Sequence, residues 1–158
     1  VDVADSGAVY MGSSIAGGIG AVPTAKEAHL AAWDPATERT IWETVPLPGA
    51  RAISDVKVVG RLIVGVTDSG AVFAANRATG EVTARSQLPA TAELLLKGSA
   101  LYGADIQRLY TIDPATLRQS QIYSGLDGQW YTGPHLADDP GCGIYAMHHF
   151  QLARVGTK

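Results

Sequence analysis

The side chains best suited to acid and base chemistry lie close together near the end of the 158-residue chain, as Tyr131, His135, Tyr145, His148 and His149, with Arg51 far upstream. An imidazole can take or give a proton near neutrality, and a tyrosine hydroxyl can do so when a neighbour activates it. His135, His148, Tyr131, Tyr145 and Arg51 are therefore the candidate catalytic set, provided the fold draws them to one face. His148 and His149 are adjacent, so on a strand they point to opposite sides and at most one meets a shared site. The more ordinary use of each histidine is as a hydrogen-bonding partner between blades, and no motif fixes the catalytic one.

A second group suits ligand binding. Residues 13–28 form a long segment of small side chains, and its glycines Gly17, Gly18 and Gly20 would let backbone N–H groups approach an anion. Gly17-Gly18-Ile19-Gly20 is neither a dinucleotide fingerprint nor a P-loop. Trp130 beside Tyr131 offers aromatic faces for stacking on a sugar ring. Asp68 and Asp105 are the carboxylates expected on the same side as a central channel. Asp138-Asp139 can offer oxygens to Ca2+ if backbone carbonyls complete about six to eight ligands, and the sequence otherwise leaves the cofactor open. Cys142 is the only cysteine, so there is neither an internal disulfide nor a cysteine metal knuckle. Gly-x-Ser-x-Gly is absent.

A repeat must position these residues. Ala32-Trp33-Asp34-Pro35-Ala36-Thr37 returns as Ala75-Asn76-Arg77-Ala78-Thr79-Gly80 and again as Ile112-Asp113-Pro114-Ala115-Thr116, with the Asp/Asn positions 42 and then 37 residues apart. Gly60-Arg61-Leu62-Ile63-Val64-Gly65 matches Gly98-Ser99-Ala100-Leu101-Tyr102-Gly103 in the same way. Between these markers lie short runs of Val, Ile, Leu, Tyr and Phe bounded by Gly, Asp, Asn and Pro, which is strand and turn chemistry. Strands are expected near 1–4, 8–12, 29–34 and 40–45, then 53–59, 61–67, 71–76 and 81–87. A third set falls at 92–97, 99–104, 107–113 and 117–123, and a last at 134–138, 143–147 and 149–155. Four strands in roughly 40 residues make a β-propeller blade, whereas helical repeats of similar period need amphipathic helices. The fold expected is all-β, a propeller of about four four-stranded blades, three complete and one partial, over 1–46, 47–88, 89–124 and 125–158. Asp34 and Asp113 are expected to cap turns, and Trp33 and Trp42 to pack between blades.

The order of these pieces resembles the PQQ-like and YVTN-type propeller repeats, in which a "rlyvg" strand, a "lyalDpaTG" strand and a "kvvw" outer strand follow an inner strand. Here they read Arg61-Leu62-Ile63-Val64-Gly65, Ala71-Val72-Phe73-Ala74-Ala75-Asn76-Arg77-Ala78-Thr79-Gly80 and Glu81-Val82-Thr83-Ala84-Arg85. The resemblance covers nearly the whole chain except 13–28. It implies a propeller, and a range of functions from quinoprotein dehydrogenases, lactonases and polysaccharide lyases to scaffolds. Lyase-type propellers use a His/Tyr/Arg set, for which His135, His148, Tyr131, Tyr145 and Arg51 are the nearest supply.

Propellers with such repeats generally have six to eight blades, so four less one strand read as about half a ring, with closure as a four-bladed propeller the alternative. A chain opening on Val1-Asp2-Val3 without Met and ending before an outer strand agrees with that reading. The partner expected is the rest of the propeller or a second chain, which would cover the open blade surfaces. With 12 Lys plus Arg against 15 Asp plus Glu and no basic cluster, nucleic acid is not an expected partner, and no apolar run suggests membrane insertion. The leading functional expectation is a binding or scaffold module of a larger secreted or cell-surface protein, taking a glycan or a protein. The alternative is a polysaccharide lyase or lactonase-like enzyme, and whether the chain is catalytic stays open at this level.

Overall fold

The computed structural model describes residues 1–16, 22–23, 25–126, 133–148 and 151–156, with the side chain of His148 left aside. The described residues form four antiparallel sheets and contain no helix. The first sheet takes β1 (Asp2–Val3), β2 (Val9–Gly12), β3 (Leu30–Asp34) and β4 (Arg39–Thr44). The second takes β5 (Ile53–Val59), β6 (Leu62–Thr67), β7 (Ala71–Asn76) and β8 (Val82–Gln87). The third takes β9 (Glu93–Lys97), β10 (Ala100–Ala104), β11 (Arg108–Ile112) and β12 (Gln119–Ser124). The fourth takes β13 (His135–Asp139), β14 (Gly143–His148) and β15 (Gln151–Gly156). Each sheet is an up-and-down meander in chain order, the form of a propeller blade. The strands expected from the sequence are all present, displaced by a residue or two at their ends.

The recurring Asp-Pro-Ala-Thr segment earns its place through local hydrogen bonds. Asp34 accepts from the Ala36 N–H at 2.9 Å and the Thr37 hydroxyl at 2.7 Å. Asn76 accepts from the Ala78 N–H at 2.8 Å, and Asp113 from the Ala115 and Thr116 N–H groups at 3.0 and 2.7 Å. Two residues after the middle of each turn the chain enters the left-handed region, at Glu38 (φ 54°), Gly80 (φ 75°) and Leu117 (φ 58°). Only glycine does so without steric cost. Gly80 is required twice over, because a Cβ there would stand 2.7 Å from the Trp42 ring.

The sheets stack in series. Inner strand β5 packs on β1 and β2, β9 on β5, and β13 on β9. Each interface has its own apolar layer, with Tyr10, Leu30, Val56 and Phe73 between the first two sheets, Val64, Leu94 and Tyr110 between the next two, and Tyr102, Leu109 and Ile144 between the last two. The middle sheets are thus covered on both faces, which is why β6 and β7 read as continuous apolar runs. Size is matched across strands: the Phe73 ring lies over Gly65, whose missing Cβ would sit 2.3 Å from it. Trp42 packs between the first two sheets and donates its indole N–H to the Arg77 carbonyl at 3.0 Å. Trp33 does not follow the expectation made for it. Adjacent strand residues face opposite ways, so Ala32 takes the interface and Trp33 the outer face of the first sheet.

Candidate functional site

A cleft of about 350 Å³ opens where the N-terminal halves of β5, β9 and β13 converge. Its polar lining is Ser54, Asp55, Lys57, Thr91, Glu93 and His135. Asp55, Glu93 and His135 hold corresponding positions on consecutive inner strands, opposite Val66, Ala104 and Met147. Asp55 ties two blades together: one carboxylate oxygen accepts the Leu94 N–H of β9 at 2.8 Å and the other accepts the Lys57 ammonium at 3.0 Å. Glu93 meets His135 Nδ1 at 3.1 Å, which fixes one edge of the imidazole and leaves Nε2 as the other polar edge of an exposed ring. The Ser54 hydroxyl is committed to the Val66 carbonyl at 3.1 Å. The cleft therefore presents alternating donors and acceptors, suited to hydrogen bonding a polar ligand.

Of the candidate catalytic residues, His135 lies in this cleft. Tyr145 stands on the same sheet, opposite Ala137 on one side and Arg154 on the other, so it shares a face with His135 as a diagonal neighbour, about 7–8 Å away along the pleat. Arg51 is exposed in the segment before β5, its carbonyl accepting the Ile15 N–H at 2.9 Å. Asp68 is exposed at the β6–β7 turn, its N–H bonded to the Ala52 carbonyl at 3.1 Å, so Arg51 and Asp68 flank the junction of the first two sheets. Gly17, Gly18, Gly20, Trp130, Tyr131 and His149 lie outside the described residues, as does the side chain of His148.

Asp105 is placed in the interior of its turn and not on the channel. It is 2% exposed, and its carboxylate accepts the Gln107 and Arg108 N–H groups at 2.8 and 2.7 Å and the Tyr110 hydroxyl at 2.7 Å. Burial, with the bond to Asp105, pushes the Tyr110 phenol above its ordinary pKa. At Asp138-Asp139 the oxygens considered for Ca2+ already hold a cation from the protein. The Lys97 ammonium bonds the Asp138 carboxylate, the Asp139 carbonyl at 2.6 Å and the Gly141 carbonyl at 3.2 Å. The Asp139 carboxylate accepts the Gly141 N–H at 3.1 Å and Arg154 Nε at 2.8 Å, and these hold it below the usual carboxyl range. Among the described residues no group of three His, Cys, Asp or Glu side chains converges on a metal position.

Asp55, Lys57 and Glu93 are the cleft residues that sequence reasoning passed over. Their signal was present, since they are charges in the mostly apolar strands Ile53–Val59 and Glu93–Lys97. A charge on a strand covered from both sides needs a partner or an opening to solvent.

The architecture defines a β-propeller segment: blades in series around a line of inner strands. The sequence matches no family model and no curated protein. Solved structures agree with the fold. The computationally designed protein Ika4 superposes with a TM-score of 0.64 at 11% identity, over 82% of this chain and 80% of its own. BamB from Moraxella catarrhalis gives a TM-score of 0.55 at 19% identity over 77% of this chain, and HIRA(644–1017) 0.55 at 13% over 98%. The matched part is 41% of the BamB chain and 52% of the HIRA chain, so this chain spans about half the length of each.

Proposed function

We propose that the chain is a non-catalytic binding or scaffold segment of a β-propeller, and that the cleft between β5, β9 and β13 receives a polar ligand, either a glycan or a polar loop of a protein. The observation that carries this reading is the pairing of hydrogen-bonding groups in the cleft. Asp55 with Lys57 and Glu93 with His135 set donors beside acceptors at fixed positions, which matches hydroxyl or amide groups better than a net charge. One observation favours the lyase-type alternative: a histidine held by a carboxylate and sharing a sheet face with Tyr145 and Arg154. Against it, Arg51 lies at the junction of the first two sheets, away from that face.

The test is a screen of neutral and acidic glycans and of displayed peptides, with each binder titrated against the parent chain, Glu93→Gln and Lys57→Met. A ligand seated in the cleft should lose about ten-fold in affinity with either variant, one lost hydrogen bond to a charged partner. Binders indifferent to both substitutions would refute the site. Release of unsaturated, ultraviolet-absorbing products from an acidic polysaccharide would replace the binding reading with the lyase.

A further inference from the structure

Every blade has a face turned to the blade before it and a face turned to the blade after it. Three such contacts are formed within the chain, which leaves two faces without a neighbouring sheet among the described residues: the backward face of the first sheet and the forward face of the fourth.

The backward face of the first sheet is built like the buried ones. Val9 corresponds to Ile63 in the second sheet, and Met11 opposite Ala31 corresponds to Gly65 opposite Phe73, with the large residue moved to the other strand. Trp33 and Ile41 extend the surface, and Ile41 is 53% exposed. A one-sided sheet alternates apolar and polar residues, yet β2 and β3 place Val9, Met11, Ala31 and Trp33 on this backward face. The forward face of the fourth sheet carries the cross-strand pair Met147 and Leu152, 43% and 67% exposed. Met147 and Leu152 stand where Ala104 and Leu109 do in the third sheet, both of which are buried by the fourth. The charged side chains on these faces already have partners in their own sheets, Arg154 with Asp139 and Glu43 with His29, so it is the apolar side chains that lack a neighbour.

Each interface inside the chain pairs a forward face with a backward face, and the chain carries one more of each. We infer that a second copy of this chain covers them head to tail, the fourth sheet of each copy packing on the first sheet of the other. Two such contacts close a ring of two arcs. The chain superposes on 41% of the BamB chain and 52% of the HIRA chain, so two copies in series span about the length of each.

Sedimentation velocity and light scattering on the chain test this, with Leu152→Glu and Ile41→Glu as probes. Both residues are more than half exposed, so the single chain keeps its fold, which circular dichroism checks. The parent should sediment at twice the 16.5 kDa of one chain. Each variant should raise the dissociation constant at least about ten-fold, because it buries an unpaired carboxylate. Mixing the two variants restores one intact contact, so the mixture should associate more tightly than either alone. A chain that stays monomeric, as it would if further blades of one polypeptide cover the faces, overturns the inference. So does a dimer that survives either variant, or growth into long polymers.

Discussion

Removing the Asp105 carboxylate should cost more than any other single polar deletion among the described residues, because this side chain satisfies three donors from a position 2% exposed. Hydrogen bonds to a charged group contribute about 1.5–3 kcal/mol each, but those sharing one acceptor are not additive. The Gln107 and Arg108 N–H groups lie at a turn where water can replace part of the loss. The Tyr110 hydroxyl is buried and has the Arg108 guanidinium, at 3.5 Å, as its other neighbour. We expect Asp105→Ala to destabilise by about 3–5 kcal/mol, the range for breaking a buried charged network. Asp105→Asn keeps one oxygen for the turn and turns an amide toward Tyr110, whose hydroxyl can accept, so about 1–2 kcal/mol should be lost. Tyr110→Phe removes one bond and should cost about 1 kcal/mol. Urea unfolding followed by tryptophan fluorescence reads all three, and the Asp105–Tyr110 double-mutant cycle isolates their coupling. If Asp105→Ala stays within about 1 kcal/mol of the parent, the turn does not depend on this carboxylate and the assignment of Asp105 to structure fails.

The left-handed positions give a paired prediction, since a non-glycine residue there carries about 1–2 kcal/mol of strain. Glu38 is exposed, so Glu38→Gly should gain up to about 1 kcal/mol; Leu117 is 1% exposed, so Leu117→Gly should lose stability despite relieving the same strain, by about 2–4 kcal/mol of lost packing. Acid should weaken the fold through three aspartates whose folded pKa lies below the ordinary value: Asp34 through the Thr37 hydroxyl, Asp113 through the Thr116 N–H, and Asp139 through the Gly141 N–H and then Arg154. A lowered folded pKa gives stability that is complete above the unfolded value of about 3.9 and is lost as pH falls through the folded value. The urea midpoint should therefore hold from pH 7 to about 5 and decline below about 4, with Asp139→Asn lowering the plateau and flattening the decline.

How much of this was legible beforehand varies along the chain for physical reasons. Strand positions were, because a period-two pattern and Gly, Asn and Asp turns are local properties. The roles of Asp34 and Asp113 were as well, since their bonds reach no further than three residues. Asp105 was not: its turn position suggested a channel, but Tyr110 closes over it from the next strand. Trp33 and Trp42 are both aromatic and nine residues apart, yet only the pairing register decides that one enters the interface and the other faces outward.

By itself, then, the sequence determined the repeat, the strands, the capped turns and hence the propeller blade, because each follows from contacts within a few residues. Tertiary structure alone decided that Asp55, Lys57, Glu93 and His135 share a cleft, that Lys97 occupies the oxygens at Asp138-Asp139, and which side chains stand on the blade faces left open among the described residues. Those results depend on which inner strands become neighbours and on how far each long side chain reaches between blades, and neither distance is written in any local stretch of residues.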